Sequence, residues 1–194
     1  MFGPNIDDPV SSGIIPRLIY QFFSKISMAN REIEFTIKVG YCEIYLERIK
    51  DLLEPSKNNL RIKEKVGFGF YIEDLTLEYV VNESEIFDLM RFGNNNREIA
   101  ATLMNEASSR SHTIFIIQIT QTSSIDYSSK SSKLYLVDLA GSEKVSKTQA
   151  EGKRLDEAKT INKSLTTLGI VINALTEKRS KHVPYRDSKL TKIL

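Results

Sequence analysis

Two polar segments hold residue types that can handle a phosphate. In LYLVDLAGSE, residues 134–143, the first four residues read as a buried strand that delivers Asp138 to its C-terminal end. A carboxylate in that place can hold Mg²⁺, usually through water. Gly141 follows in the next loop, where the missing Cβ lets a backbone N–H approach a terminal phosphate. In NEASSRSH, residues 105–112, Asn105, Ser108 and Ser109 offer amide and hydroxyl groups to a γ-phosphate, to Mg²⁺ and to an attacking water. Arg110 either stabilises phosphate charge or pairs with Glu143 and links the two loops; the ion pair is the favoured reading. His112 reads as a structural residue at a strand end. Each feature taken singly has a plainer counterpart, a surface Asp closing a strand or a Ser-rich loop ahead of one. The phosphate-cradling pattern GxxxxGK[ST] does not occur in the 194 residues.

Hydrophobic periodicity indicates the elements that carry these loops. Ile15, Leu18, Ile19, Phe22 and Ile26 recur at helical spacing behind Pro16, which suits a first turn. Phe35, Ile37, Val39 and Tyr41 alternate with polar residues, so residues 34–41 predict a half-buried strand. The continuation EIYLERIKDLLEP either stays extended or turns helical, and Pro55 ends it in both cases. Residues 60–72 predict short strands around a turn at Gly67 and Gly69. A helix is expected over 82–92, capped by Asn82 or Ser84 and stopped by Gly93. Residues 113–121 predict a strand, joined through a long polar loop to the strand that ends at Asp138. Residues 144–160 predict a mobile loop or a helix that orders on binding. Over 161–175 the residues Ile161, Leu165, Leu168, Ile172 and Leu175 fall on one helical face. Residues 177–184 form a basic loop, and Asp187 or Ser188 caps a last helix. Strands alternating with helices point to an α/β layered domain.

Composition bounds the class. The length suits one domain with a real core. No apolar run is long enough to span a bilayer, and MFGPNIDDPV lacks the basic and apolar regions of a signal peptide. The single cysteine, Cys42, cannot form an internal disulfide, which makes the reducing cytosol the expected compartment. Two histidines and no Cys/His cluster give no zinc pattern. The net charge of +2 conceals an asymmetry. Residues 1–143 carry 15 Lys/Arg against 20 Asp/Glu, whereas residues 144–194 carry 12 against 5. A basic segment on a mildly acidic body fits nucleic acid, anionic lipid or an acidic protein surface, or is a solvated face.

Four motifs in order and register, NEASSRSH, DLAGSE, INKSLTTLG and HVPYRDSKLT, resemble the kinesin motor domain. The resemblance covers almost the whole chain, through GIIPR at 13–17, CEIYLERIKDLL at 42–53 and AATLMNEASSRSH at 100–112. GSEKVSKTQAEG and LDEAKTINKSL are most similar to conventional kinesin heavy chains, the kinesin-1 type. The resemblance implies a partial P-loop NTPase-like motor domain over 1–194, with a mixed β-sheet flanked by helices. It implies ATP and Mg²⁺ as ligands, with Ser109 near Mg²⁺, Ser108 near the lytic water, and Asn105 beside them in switch I. Asp138, Gly141 and Glu143 would lie in switch II, with Arg110 and Glu143 forming the salt bridge between switches. The helix over 161–175 would be the relay lying against tubulin. Lys144, Lys147, Arg186, Lys189 and Lys192 would face the acidic microtubule. The implied setting is the cytoplasm, on the microtubule cytoskeleton, with no nucleic-acid or membrane partner.

Three departures from the family pattern stand out. The family's P-loop would lie just upstream of Met1. The last motor helix, the neck linker and the stalk through which dimers form are not in these residues. Gln149 stands where the subgroup usually has Gly. The expected parent activity is microtubule-stimulated ATP hydrolysis coupled to movement. Its rival is a non-hydrolysing microtubule-binding fragment, because the chain alone lacks the phosphate cradle. A basic nucleic-acid binder is a weaker rival: the basic end has one aromatic residue, Tyr185, and no recognised nucleic-acid motif.

Overall fold

The computed structural model describes residues 12–67, 69–104, 110–141, 153–177 and 182–194. Its centre is an antiparallel ladder of three long strands: β1 (Ile33–Tyr45), β6 (His112–Ser123) and β7 (Ser129–Asp138). β1 pairs along its whole length with β6, from Ile33↔Ser123 to Ile44↔His112. β6 pairs with β7 from Thr122↔Ser129 to Thr113↔Asp138. The far edge of β1 is shared by β2 (Arg48–Asp51) and β5 (Glu78–Val80). β3 (Ile62–Lys65) and β4 (Gly69–Ile72) form a separate hairpin around the Gly67 turn. Among the described residues β7 pairs with β6 alone.

The pleat divides the core between the two faces of this ladder. Ile37, Val39 and Tyr41 of β1 share one face with Phe115 and Ile117 of β6 and Leu134 and Leu136 of β7. That face is covered by α1 (Ile14–Ser27), through Ile15 and Ile19, and by α2 (Glu83–Met104), through Ile86, Phe87 and Met90. Cys42, Ile44, Ile114, Ile116, Tyr135 and Val137 occupy the opposite face. There they meet the β3–β4 hairpin, Leu168 of α3 (Lys153–Thr176), and Leu190 and Ile193 of α4 (Lys189–Ile193). A helices-on-both-faces arrangement of this kind matches the expected α/β layering. Cys42 is fully buried, and burial pushes its thiol well above the ordinary range, so it packs as a small apolar residue.

Local chemistry settles the alternatives left open by periodicity. After Tyr41 the chain stays extended. Leu46 and Glu47, with φ 48° and 59°, make a two-residue turn into β2, the left-handed pair that matches the twist of a tight hairpin. Asp51 then organises the loop behind β2. Its Oδ1 accepts from the N–H groups of Leu53 and Glu54, and its Oδ2 from that of Thr76 at 2.8 Å. Asn82, not Ser84, caps α2: its Oδ1 accepts from the Glu85 N–H, and Glu85 Oε2 accepts from the Val81 N–H, both at 2.9 Å. This is a reciprocal cap of the capping-box kind. Ser188 caps α4 by accepting from the Thr191 N–H.

Four expectations from periodicity are corrected. Gly93 does not end α2, which continues to Met104. The β6–β7 connection is short, because β7 begins at Ser129 rather than near Lys133. The helix expected from Ile161 begins at Lys153, so the segment over 153–160 takes the helical alternative; residues 144–152 lie outside the described part. The face α3 buries is Ile161, Ser164, Thr167 and Val171, while Ile172 and Leu175 are exposed. Ser164 meets His112 of β6 and Thr167 is buried like it, and apolar counting overlooks both.

Gly93 lies inside the helix where a side chain would collide with Tyr41. A Cβ built there would lie 2.3 Å from Tyr41 Cδ1. Tyr41 cannot yield: its ring is fully buried, stands edge-on to Phe115, and its hydroxyl donates to Asn94 Oδ1 at 2.8 Å. Gly93→Ala therefore gains about 1 kcal/mol of helix propensity and loses about 1–3 kcal/mol or more to overpacking. The expected result is a lower urea midpoint with an unchanged slope. A raised midpoint would show that the ring is free to move.

Candidate functional site

The register Thr113↔Asp138 sets the end of β7 beside the start of β6. Asp138 is half-buried there, and its charge helps raise the Tyr41 phenol, which burial above all pushes up to about 12. Ala140 is buried and Gly141 half-buried in the segment that leaves the sheet. On the β6 side, Arg110 sits half-buried in a crevice lined by Ile44, Glu47, His112, Thr160 and Ser164. Asn105, Ser108 and Ser109 lie outside the described residues, as do Glu143, Lys144 and Lys147. The Arg110–Glu143 pair is therefore not described.

Next to Arg110, the start of β6 is held by a buried charge cluster. Ser111 Oγ donates to Glu43 Oε1 at 2.5 Å. Arg97 of α2 gives its Nε to the same oxygen at 3.3 Å and its Nη2 to Ser111 Oγ at 3.1 Å. Glu43 is 7% exposed. Removing one partner of such a pair leaves an uncompensated buried charge, worth about 3–5 kcal/mol. The cluster joins β1, α2 and the start of β6 directly behind the site. Sequence reasoning missed Glu43 and Arg97, whose charge gave no sign of burial.

His112 is structural, as its place in the sequence suggests, and it is more than a strand end. Its Nδ1 accepts from the Ala140 N–H at 2.9 Å, and its Nε2 lies 2.7 Å from Ser164 Oγ. Burial holds the imidazole below its ordinary pKa.

A hard cation fits this end of the sheet in one specific way. No group of three or more His, Cys, Asp or Glu gathers among the described residues. Among the described residues a single half-buried carboxylate, Asp138, stands at the strand end. That donor set suits Mg²⁺, which keeps several waters and takes one or two carboxylates together with substrate phosphates.

Of the five cations expected to face the microtubule, the three that are described, Arg186, Lys189 and Lys192, differ in setting. Arg186 is exposed and pairs with Glu64 at 3.0 Å. Lys189 is half-buried: its N–H donates to Glu47 Oε2 at 2.8 Å and its Nζ points at the Leu60 carbonyl at 3.4 Å. Burial lowers its ammonium pKa. Lys192 is half-buried along a cleft that also includes Phe70, Tyr135 and Leu194. Among the described residues no helix is long and apolar enough to cross a membrane.

The His112 shift has a testable sign. A base whose folded pKa lies below its unfolded value of about 6.5 contributes stability above that value and loses it as pH falls through the folded pKa. The urea midpoint should drop between about pH 7.5 and pH 5.5, and the drop should be smaller in His112→Gln. Equal drops in the two proteins would remove His112 from the acid response.

Comparison with known proteins agrees with this geometry. A family model for the kinesin motor domain matches residues 1–194. The kinesin heavy chain of Neurospora crassa is 55% identical over 194 residues, all of this chain and 21% of that protein. The kinesin heavy chain isoform 5C of Rattus norvegicus is 52% identical over 189 residues, 97% of this chain and 20% of that protein. A solved structure described as that of a fast kinesin superposes with a TM-score of 0.92 at 55% identity, covering 100% of this chain and 55% of that one. The chain thus spans about a fifth of the length of these curated relatives. A whole-chain family match, an identity above half and the same arrangement of sheet and helices lead to one conclusion: this chain belongs to the kinesin motor-domain family.

Proposed function

We propose that the chain forms the phosphate-sensing and track-facing part of a microtubule motor, in which ATP hydrolysis is coupled to movement. The observation that carries this reading is the placement of Asp138, half-buried at the end of β7 and registered beside the start of β6 in a kinesin-family chain. In this reading Asp138, through water, and Ser109 hold Mg²⁺. Asn105 and Ser108 orient the attacking water, Gly141 offers its N–H to the γ-phosphate, and Arg110 pairs with Glu143. Bound Mg²⁺·ATP supplies the phosphoanhydride bond and a cation that neutralises charge developing on the phosphate oxygens. The work of the chain's own residues is positioning. Glu43, Arg97 and Ser111 hold one loop end against the sheet, and β7 holds the other. The cellular setting is the cytoplasm, along microtubules.

The track-facing role falls to the basic end, with Lys144, Lys147, Arg186, Lys189 and Lys192 as its cations. Arg186 and Lys192 should contribute most among the three described, because the Lys189 ammonium is turned toward the Leu60 carbonyl. Microtubule cosedimentation of the purified chain across a salt series tests this. Replacing Arg186 and Lys192 together by Ala should weaken binding about tenfold. Replacing the exposed pair Lys25 and Arg31 should change little. Glu64→Gln, which frees Arg186 from its partner, should tighten binding about twofold to fivefold. Affinity should fall as salt screens exposed charges. Equal effects of the two double variants, or no sedimentation at low salt, would overturn the assignment.

A further inference from the structure

We infer that His112 is a positioning residue that ties the loop following Asp138 to helix α3 by a one-directional chain of hydrogen bonds. The inference rests on the reading of that loop as the phosphate sensor, and it adds the part that carries its position to the helix.

The chain has four members. The Ala140 N–H donates to His112 Nδ1 at 2.9 Å. His112 Nε2 meets Ser164 Oγ at 2.7 Å. Ser164 Oγ donates to the Ile161 carbonyl at 2.7 Å. The direction follows from proton counting. A backbone N–H can only donate, so Nδ1 carries no proton. A neutral imidazole then carries it on Nε2, which donates. The single hydroxyl proton of Ser164 is already committed to Ile161, so Oγ is free to accept from Nε2. Every donor has an acceptor and no orientation is left open.

Burial makes this arrangement exacting. Ala140, His112, Ser164 and Ile161 are all less than 9% exposed, so water cannot stand in for a missing partner. The other tautomer would place two N–H groups head to head at Ala140. The bonds span three elements that are remote in sequence: the start of β6, the segment leaving β7, and the middle of α3. A displacement of residues 139–141 that kept the first bond would carry the imidazole with it, and through Ser164 would act on α3. The polar stripe that turned α3 away from its apolar periodicity is the docking point of this link.

The two ends of the link can be cut separately. Ser164→Ala removes the acceptor on α3 and leaves Ala140 untouched. His112→Asn offers its Oδ1 where Nδ1 stood, keeping an acceptor for Ala140, but is too short to reach Ser164. Amide hydrogen exchange reads Ala140 directly and requires neither nucleotide nor microtubules. Ser164→Ala should lower Ala140 protection about tenfold while β1 amides keep theirs. In the His112→Asn background, Ser164→Ala should add nothing at Ala140. Unchanged protection in Ser164→Ala, or the same drop in both backgrounds, would overturn the link, because the effect would then not pass through His112. On the unaltered protein, imidazole ¹⁵N–¹H spectra should show the proton on Nε2; a proton on Nδ1 would overturn it without any variant. If the link holds and Ser164→Ala leaves microtubule binding and its nucleotide dependence unchanged in the motor, the phosphate-sensor reading fails and the link does not.

Discussion

The unbroken antiparallel register of β1, β6 and β7 is the constraint on which the rest depends. Side chains alternate along each strand, so one residue of slip would exchange the two faces of the sheet. Val39↔Ile117 and Ile117↔Leu134 lie on the face under α1 and α2, while Ile44↔His112 and Ile114↔Val137 lie on the face under α3 and α4. A slip would turn Tyr41 away from Gly93 and Asn94, and His112 away from Ser164. The same register that builds both cores therefore brings Asp138 to the start of β6. Position at the site is an outcome of core packing, not of the loops alone.

Around that ladder, buried polar groups do what apolar contacts cannot: they fix direction. Asp51 takes three backbone N–H groups and shapes the loop behind β2. Glu43, Arg97 and Ser111 fasten β1, α2 and the start of β6 to one point. His112 and Ser164 fasten the exit of β7 to α3. Every buried side-chain nitrogen and oxygen of the described residues has a partner, the condition under which such networks specify one geometry rather than weaken the core.

Much of this was legible in the sequence. Alternation along residues 34–41 and β-branched residues over 113–121 marked the central strands, and the apolar run before Asp138 marked the third. The motifs around Asp138 and Ser109 carried the resemblance to the family. What escaped was long-range. Gly93 carries the signature of a helix stop, yet it lies inside α2, and its missing Cβ leaves room for Tyr41, 52 positions away. Ser164 and Thr167 look like solvent positions and are instead buried. Leu46 and Glu47 take left-handed conformations with no Gly or Asn to announce a turn; pairing of the flanking strands imposes it. In each case a tertiary contact overrode a local preference.

The central claim is that the end of β7 is a phosphate-sensing site, with Asp138 as its water-mediated Mg²⁺ partner. The most direct measurement is microtubule-stimulated phosphate release by a motor polypeptide that carries this segment together with a phosphate-cradling loop, native against Asp138→Asn. Asparagine keeps the shape and removes the charge. Partners acting on a metal through an intervening water are worth about 10–100-fold in affinity or activity, so the account predicts a fall of that size, partly recovered at high Mg²⁺. An unchanged rate at ordinary Mg²⁺ would contradict it and leave Asp138 as a carboxylate that merely closes a strand.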